Sequence, residues 1–141
     1  MSDRLAAIEK KRAEKAAKAA EARDEQKATD LEQITAYQDS NPRVVTALLE
    51  TPHFEGLPVV VAVRCPSKIE LKRYRDTVRN SPEGKPVQNL EAAEALAGLT
   101  VVYPEDETFE KMNELLPGLK GQAGMLSAKL AIAAQTAEGK G

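Results

Sequence analysis

The chain has 141 residues, about one domain's worth, with 20 basic and 22 acidic side chains, one cysteine, no tryptophan and five aromatics. A net charge of −2 supplies no field for nucleic acid or an anionic membrane, five aromatics are too few for a base-stacking platform, and a lone cysteine forbids an internal disulfide. Leu, Ile, Val and Phe number thirty, but only Leu5, Ile8, Leu31 and Ile34 precede residue 41, so the first forty residues lack a core of their own.

Residues 3–37 read as one long helix, because Ala, Glu, Lys, Arg and Gln dominate and no Gly or Pro occurs before Pro42. At 1.5 Å per residue it would be about 50 Å long, more than the width of a domain of this size, so it projects or lies along a partner. Heptads counted from Leu5 and Ile8, or back from Leu31 and Ile34, place Lys, Arg, Asp and Ala at the seam, which excludes a regular coiled coil. Between Ile8 and Leu31 the apolar side chains are alanines, of which Ala13, Ala16, Ala17 and Ala20 share one narrow face and are candidate partner contacts. Eight basic and eight acidic residues from Asp3 to Glu32 cover the rest, some at i,i+4 spacing such as Glu14 and Lys18, worth a few tenths of a kcal/mol per pair.

Composition changes at Asn41. Asn41-Pro42 is a helix start signal, and Val44, Val45, Leu48 and Leu49 fall on one face, which predicts a short helix ended by Thr51-Pro52. Residues 57–65, with Leu57, Val59, Val60, Val61 and Val63 between breakers, have the pattern of a buried strand. Ser67 and Glu70 form a capping box for a helix over 68–80 with Leu71, Tyr74 and Val78 on its apolar face. Residues 81–88, containing Pro82, Gly84 and Pro86, read as a loop, and Asn89 as the cap of a helix through Leu90, Ala93, Leu96 and Leu99. For 99–103 the i,i+3,i+4 spacing favours continued helix to Pro104, with a second strand pairing with 59–63 as the alternative. A helix follows over 105–116 with Phe109, Met112, Leu115 and Leu116 on one face. Pro117-Gly118 ends it, and a last helix lies within 119–137, starting at Leu119 or after Gly124, with a frayed tail at 138–141. The expected fold is mainly α: a long helix over 1–40, then a small helical domain over 41–137 with one extended segment at about 57–65. Deletion of residues 1–38 is accordingly expected to leave a folded core.

Charge is unevenly distributed in that domain. Residues 64–79 carry six cations against Glu70 and Asp76, and Lys68, Lys72, Arg75 and Arg79 fall at i, i+4, i+7 and i+11 as a second candidate partner surface. Residues 105–114 carry five carboxylates against Lys111, so the basic and acidic segments attract each other either within one chain or head-to-tail between copies. His53 and Cys65 are single, no phosphate loop or metal cluster is spelled out, and no catalytic residue, metal or cofactor is assigned. The longest apolar stretch, 57–63, is far shorter than the roughly 20 residues needed to cross a bilayer, and the charged N-terminus is not a secretory signal.

From Val59 onward, a Val-rich stretch, Arg64-Cys65-Pro66, Lys72-Arg73-Tyr74-Arg75, an Ala-rich helix into Val101-Val102-Tyr103-Pro104, then Thr108-Phe109-Glu110 and Leu116-Pro117-Gly118-Leu119 follow in order. This order resembles the tail assembly chaperone-like proteins of tailed bacteriophages over about residues 59–130. The resemblance implies a mostly helical, non-catalytic protein of the host cytoplasm that coats the tape-measure protein and helps recruit tail-tube subunits. The helix over 3–37 departs from that pattern and points to an added role. The alternatives are a structural virion component, part of capsid or tail, docked through this helix, and a nucleic-acid-binding module using the basic stripe.

Overall fold

The computed structural model describes residues 2–79 and 86–139. It is mainly helical, with a long N-terminal helix as expected, arranged around a small sheet. Helix α1 (Ser2–Ser40) is followed by strands β1 (Thr46–Glu50) and β2 (Val60–Arg64), helices α2 (Lys68–Arg79) and α3 (Pro86–Thr100), strand β3 (Val101–Tyr103), and helices α4 (Asp106–Leu115) and α5 (Leu119–Gly139). The sheet is antiparallel in the order β1-β2-β3, with β2 in the middle.

The unbroken valine run explains why β2 is central. Its odd residues, Val61 and Val63, face a core made with Ala97, Phe109, Met112, Leu119 and Ala123, while Val60 and Ala62 face Ile34 of α1. A strand buried on both sides has no polar face to present, which is why its apolar residues do not alternate with polar ones.

The helix expected from Asn41-Pro42 is instead a turn followed by β1. Asn41 finishes α1 rather than starting a new helix: its Nδ2 donates to the Tyr37 carbonyl at 2.9 Å and its amide to the Gln38 carbonyl at 3.1 Å. The β-branched run Val44-Val45-Thr46 then favours extended backbone, and 46–50 pairs with 60–64. Between the strands the Leu57 amide closes a turn on the Phe54 carbonyl, with Gly56 at φ +77°, a conformation that favours glycine.

Helix does not continue through 99–103: α3 ends at Thr100 and β3 takes the second edge of β2, with an irregularity in register between Ala62 and Val63. The helical spacing of Leu99, Val102 and Tyr103 is overridden because β2's second row of amides and carbonyls needs a partner. The Tyr103–Pro104 peptide is cis. Helix α3 starts at Pro86, so Asn89 lies within the helix rather than capping it. Of the loop expected at 81–88, residues 81–85 lie outside the described residues, as does Asn80 at the end of the helix expected over 68–80, and 86–88 form the first turn of α3. Helix α5 starts at Leu119 and reaches Gly139, so part of the expected tail is helical, and residues 140–141 lie outside the described residues.

Two helical layers sandwich the sheet, α1 on one face and α3, α4 and α5 on the other. The second half of α1 is built into the core through Ile34 and Asp30. Deleting 1–38 would uncover Val60 and Ala62 and remove Asp30, so this truncation takes away part of the packing of the sheet.

Candidate interaction surfaces

A row at alternating three- and four-residue spacing runs along one side of α1: Ala13, Ala16, Ala20, Arg23, Lys27, Asp30, Ile34 and Tyr37. Its second half is anchored. The Asp30 carboxylate, fully buried, accepts the amides of Val59 (2.7 Å) and Val60 (3.2 Å) on Oδ2, and Gln26 Nε2 (2.8 Å) and the Tyr103 hydroxyl on Oδ1. Burial, then the bond to Asp30, pushes the Tyr103 phenol well above its ordinary pKa, so it stays a donor. Arg23 donates to the Thr51 carbonyl at 2.6 Å, Lys27 pairs with Glu50, and Gln38 Nε2 donates to Thr46 Oγ1 at 2.7 Å.

The first half is different. Every residue from 3 to 21 is exposed, a run about 28 Å long at 1.5 Å per residue, and it includes Ala13, Ala16, Ala17 and Ala20. Leu5 and Ile8 on the same stretch are 61% and 44% exposed. Because Ala16 and Ala20 continue the row of Asp30 and Ile34, a partner packed on the alanines would extend the core beyond the end of the sheet.

The second predicted surface also comes together. Lys68, Lys72, Arg75 and Arg79 are exposed on α2 and line one shallow groove of about 360 Å³. Arg64, counted with them by sequence, is used elsewhere. Its guanidinium makes a two-pronged contact with Glu70, Nη1 to Oε1 at 2.7 Å and Nη2 to Oε2 at 2.8 Å, and Nη2 also donates to the Leu99 carbonyl at 2.8 Å. Glu70 closes the expected capping box: the Ser67 amide donates to Oε1 at 2.8 Å, and the Glu70 amide to Ser67 Oγ at 3.2 Å. Ser127 Oγ donates to the Arg64 carbonyl at 2.8 Å, so this cluster ties β2, α2, α3 and α5 together. The carboxylates of α4 and its N-cap, Glu105, Asp106, Glu107, Glu110 and Glu114, are exposed, and neither the Arg64–Glu70 nor the Lys27–Glu50 ion pair joins them to the α2 stripe.

The Arg64 hydrogen bond, with help from the Ser67 amide, lowers the Glu70 pKa from an ordinary 4.5 to about 2. A lowered carboxyl pKa adds stability above its unfolded value and loses it as pH falls through the folded value. Glu70→Gln should therefore cost about 1 kcal/mol at neutral pH, allowing for solvent around the pair. That difference from wild type should shrink as pH falls from about 4.5 to 2. Urea titrations at several pH values check it, and a pH-independent difference would remove the charge from the explanation.

Sequence reasoning missed Asp30, one acid among nine on a charged helix. The usable signal was its position four residues before Ile34 and seven before Tyr37, on a row that also carries Ala13, Ala16 and Ala20. His53 is half-buried and Cys65 part-buried, its Sγ 3.7 Å from the Pro66 carbonyl oxygen. Among the described residues no three His, Cys, Asp or Glu side chains are placed to hold a metal ion, and no helix is long and apolar enough to cross a membrane. The surfaces thus define a small helical protein built around a three-stranded sheet, with an exposed helical extension and a basic stripe. No protein-family model, curated protein or solved structure matches the chain.

Proposed function

We propose that this is a non-catalytic assembly protein that docks a protein partner along the exposed half of α1, in the manner of a phage tail assembly chaperone holding a tape-measure protein. The observation that carries the reading is the contrast within one helix. Residues 22–40 are fixed to the sheet by a buried carboxylate, whereas 3–21 extend the same row of side chains into solvent. A rigid anchor followed by an unpaired small-residue face presents a preorganised surface, which reduces the ordering cost of binding. The basic stripe on α2 gives a second, salt-sensitive contact for an acidic partner.

Deletion of residues 1–20 is expected to leave the fold within about 0.5 kcal/mol of wild type, because no contact of the core is removed. The same deletion should abolish co-purification with a co-expressed tape-measure protein. Retained binding by the truncated chain would overturn the assignment of α1. A structural virion protein is the second reading, favoured by the same helix if it lies permanently in a groove of a capsid or tail subunit. Denaturing gels of purified particles separate the two, since only the structural protein stays in them.

A further inference from the structure

We propose that β1 is a self-association edge, joining a second copy of this chain strand to strand across a two-fold axis. This surface is distinct from the α1 and α2 surfaces and does not rest on the assembly reading.

The hydrogen-bond parity of β1 settles which way its backbone faces. The Cys65 amide donates to the Val45 carbonyl and the Thr51 amide to the Val59 carbonyl, each at 2.8 Å, with Ala47 opposite Val63 and Leu49 opposite Val61 between them. Odd-numbered residues therefore direct their amides and carbonyls at β2, and those of Thr46, Leu48 and Glu50 point outward. No backbone hydrogen bond to these six groups occurs among the described residues. The strand has little of the usual protection of an exposed edge: TALLE contains no proline or lysine, its one charge, Glu50, is paired with Lys27, and its register with β2 has no bulge. Leu48 is 45% exposed and its neighbour Val45 is 51% exposed.

A second copy fits because the strand is complementary to its own reverse. Centred on Leu48, an antiparallel pair sets Leu48 against the partner's Leu48 and Thr46 against the partner's Glu50. All six outward groups of each strand are then bonded, and the two Glu50 carboxylates are kept apart at opposite ends. Register shifted one way brings Thr46 opposite the partner's Pro52, which has no amide to give. The centred arrangement is isologous, the symmetry of most homodimers, and joins two three-stranded sheets into one of six.

The test is the mass of the full chain in solution from roughly 5 to 500 μM, a range suited to a small edge contact. Light scattering with sedimentation equilibrium should give a mass rising from 15.3 kDa toward twice that value, and the rise should persist in high salt. Leu48→Pro removes an outward amide that β2 does not use and should hold the mass at one chain with circular dichroism unchanged. Leu48→Lys should do the same, and it decides the matter if the proline variant does not fold. A wild-type chain that stays monomeric throughout overturns the proposal. So does a dimer that survives Leu48→Lys, or one that disappears in high salt, which would point to the α2 stripe and α4 carboxylates.

Discussion

Replacing Asp30 with alanine is expected to destabilise the protein by about 3–5 kcal/mol, because two buried amides and a part-buried hydroxyl lose their acceptor together. The geometry explains why so much depends on one side chain. In a regular antiparallel ladder the Val59 amide would donate to the Thr51 carbonyl, completing the pair whose other bond, Thr51 amide to Val59 carbonyl, is present. Here α1 takes both ends, Arg23 donating to the Thr51 carbonyl and Asp30 accepting from Val59. The sheet and the helix are therefore one hydrogen-bonded unit, and without Asp30 the amides have neither a carboxylate nor a ladder partner. Asp30→Asn should lose somewhat less, since one oxygen survives, and Tyr103→Phe about 1 kcal/mol, since Gln26 still satisfies Oδ1. Urea unfolding measures the stability, and hydrogen exchange over residues 22–40 reports whether α1 lifts from the sheet. An alanine variant with wild-type stability would mean the helix is held by Ile34 packing alone.

The elements whose local chemistry agreed with their tertiary role were legible in the sequence. Helix α1 has no breaker in forty residues, α2 carries a complete capping box, and the valine run of β2 can be satisfied only by burial on both faces. The two outer strands were not legible, for one shared reason. Val44, Val45, Leu48 and Leu49 fit a helical face as well as a strand, and so do Leu99, Val102 and Tyr103. The deciding term is the unmet hydrogen bonding of β2, which is non-local. Of the candidate surfaces, the alanine face and the basic stripe follow from helical spacing, and both are exposed on the faces expected of them. The tie between α1 and the sheet was not legible because a count of large apolar residues gives no weight to a carboxylate, and Asp30 holds α1 to the sheet.

Gly124→Ala should be the most damaging single-methyl change on the α3/α5 side of the sheet, costing about 2–3 kcal/mol. A Cβ at this position would lie 1.8 Å from the Ala93 carbonyl oxygen and 2.5 Å from its carbon, so it meets backbone, and α3 and α5 must separate to admit it. Separation loosens the contact through which Ala97 and Ala123 reach the Val61 and Val63 face of the sheet. Two other glycines isolate this effect. At Gly121 the added methyl meets Leu90 Cδ1 at 2.4 Å, the end of a side chain 46% exposed and free to swing away, so the cost should stay below about 1 kcal/mol. At Gly98, exposed on α3 with nothing within 4 Å, alanine should raise stability by about 0.5–1 kcal/mol by restricting the unfolded chain. Thermal melts should therefore rank Gly98→Ala above wild type, Gly121→Ala near it and Gly124→Ala well below. If Gly124→Ala melted with Gly121→Ala, the two helices would have room to spare. If the predicted order holds, the side of the sheet away from α1 is packed to backbone contact, and adaptation to a partner must come from the α1 side.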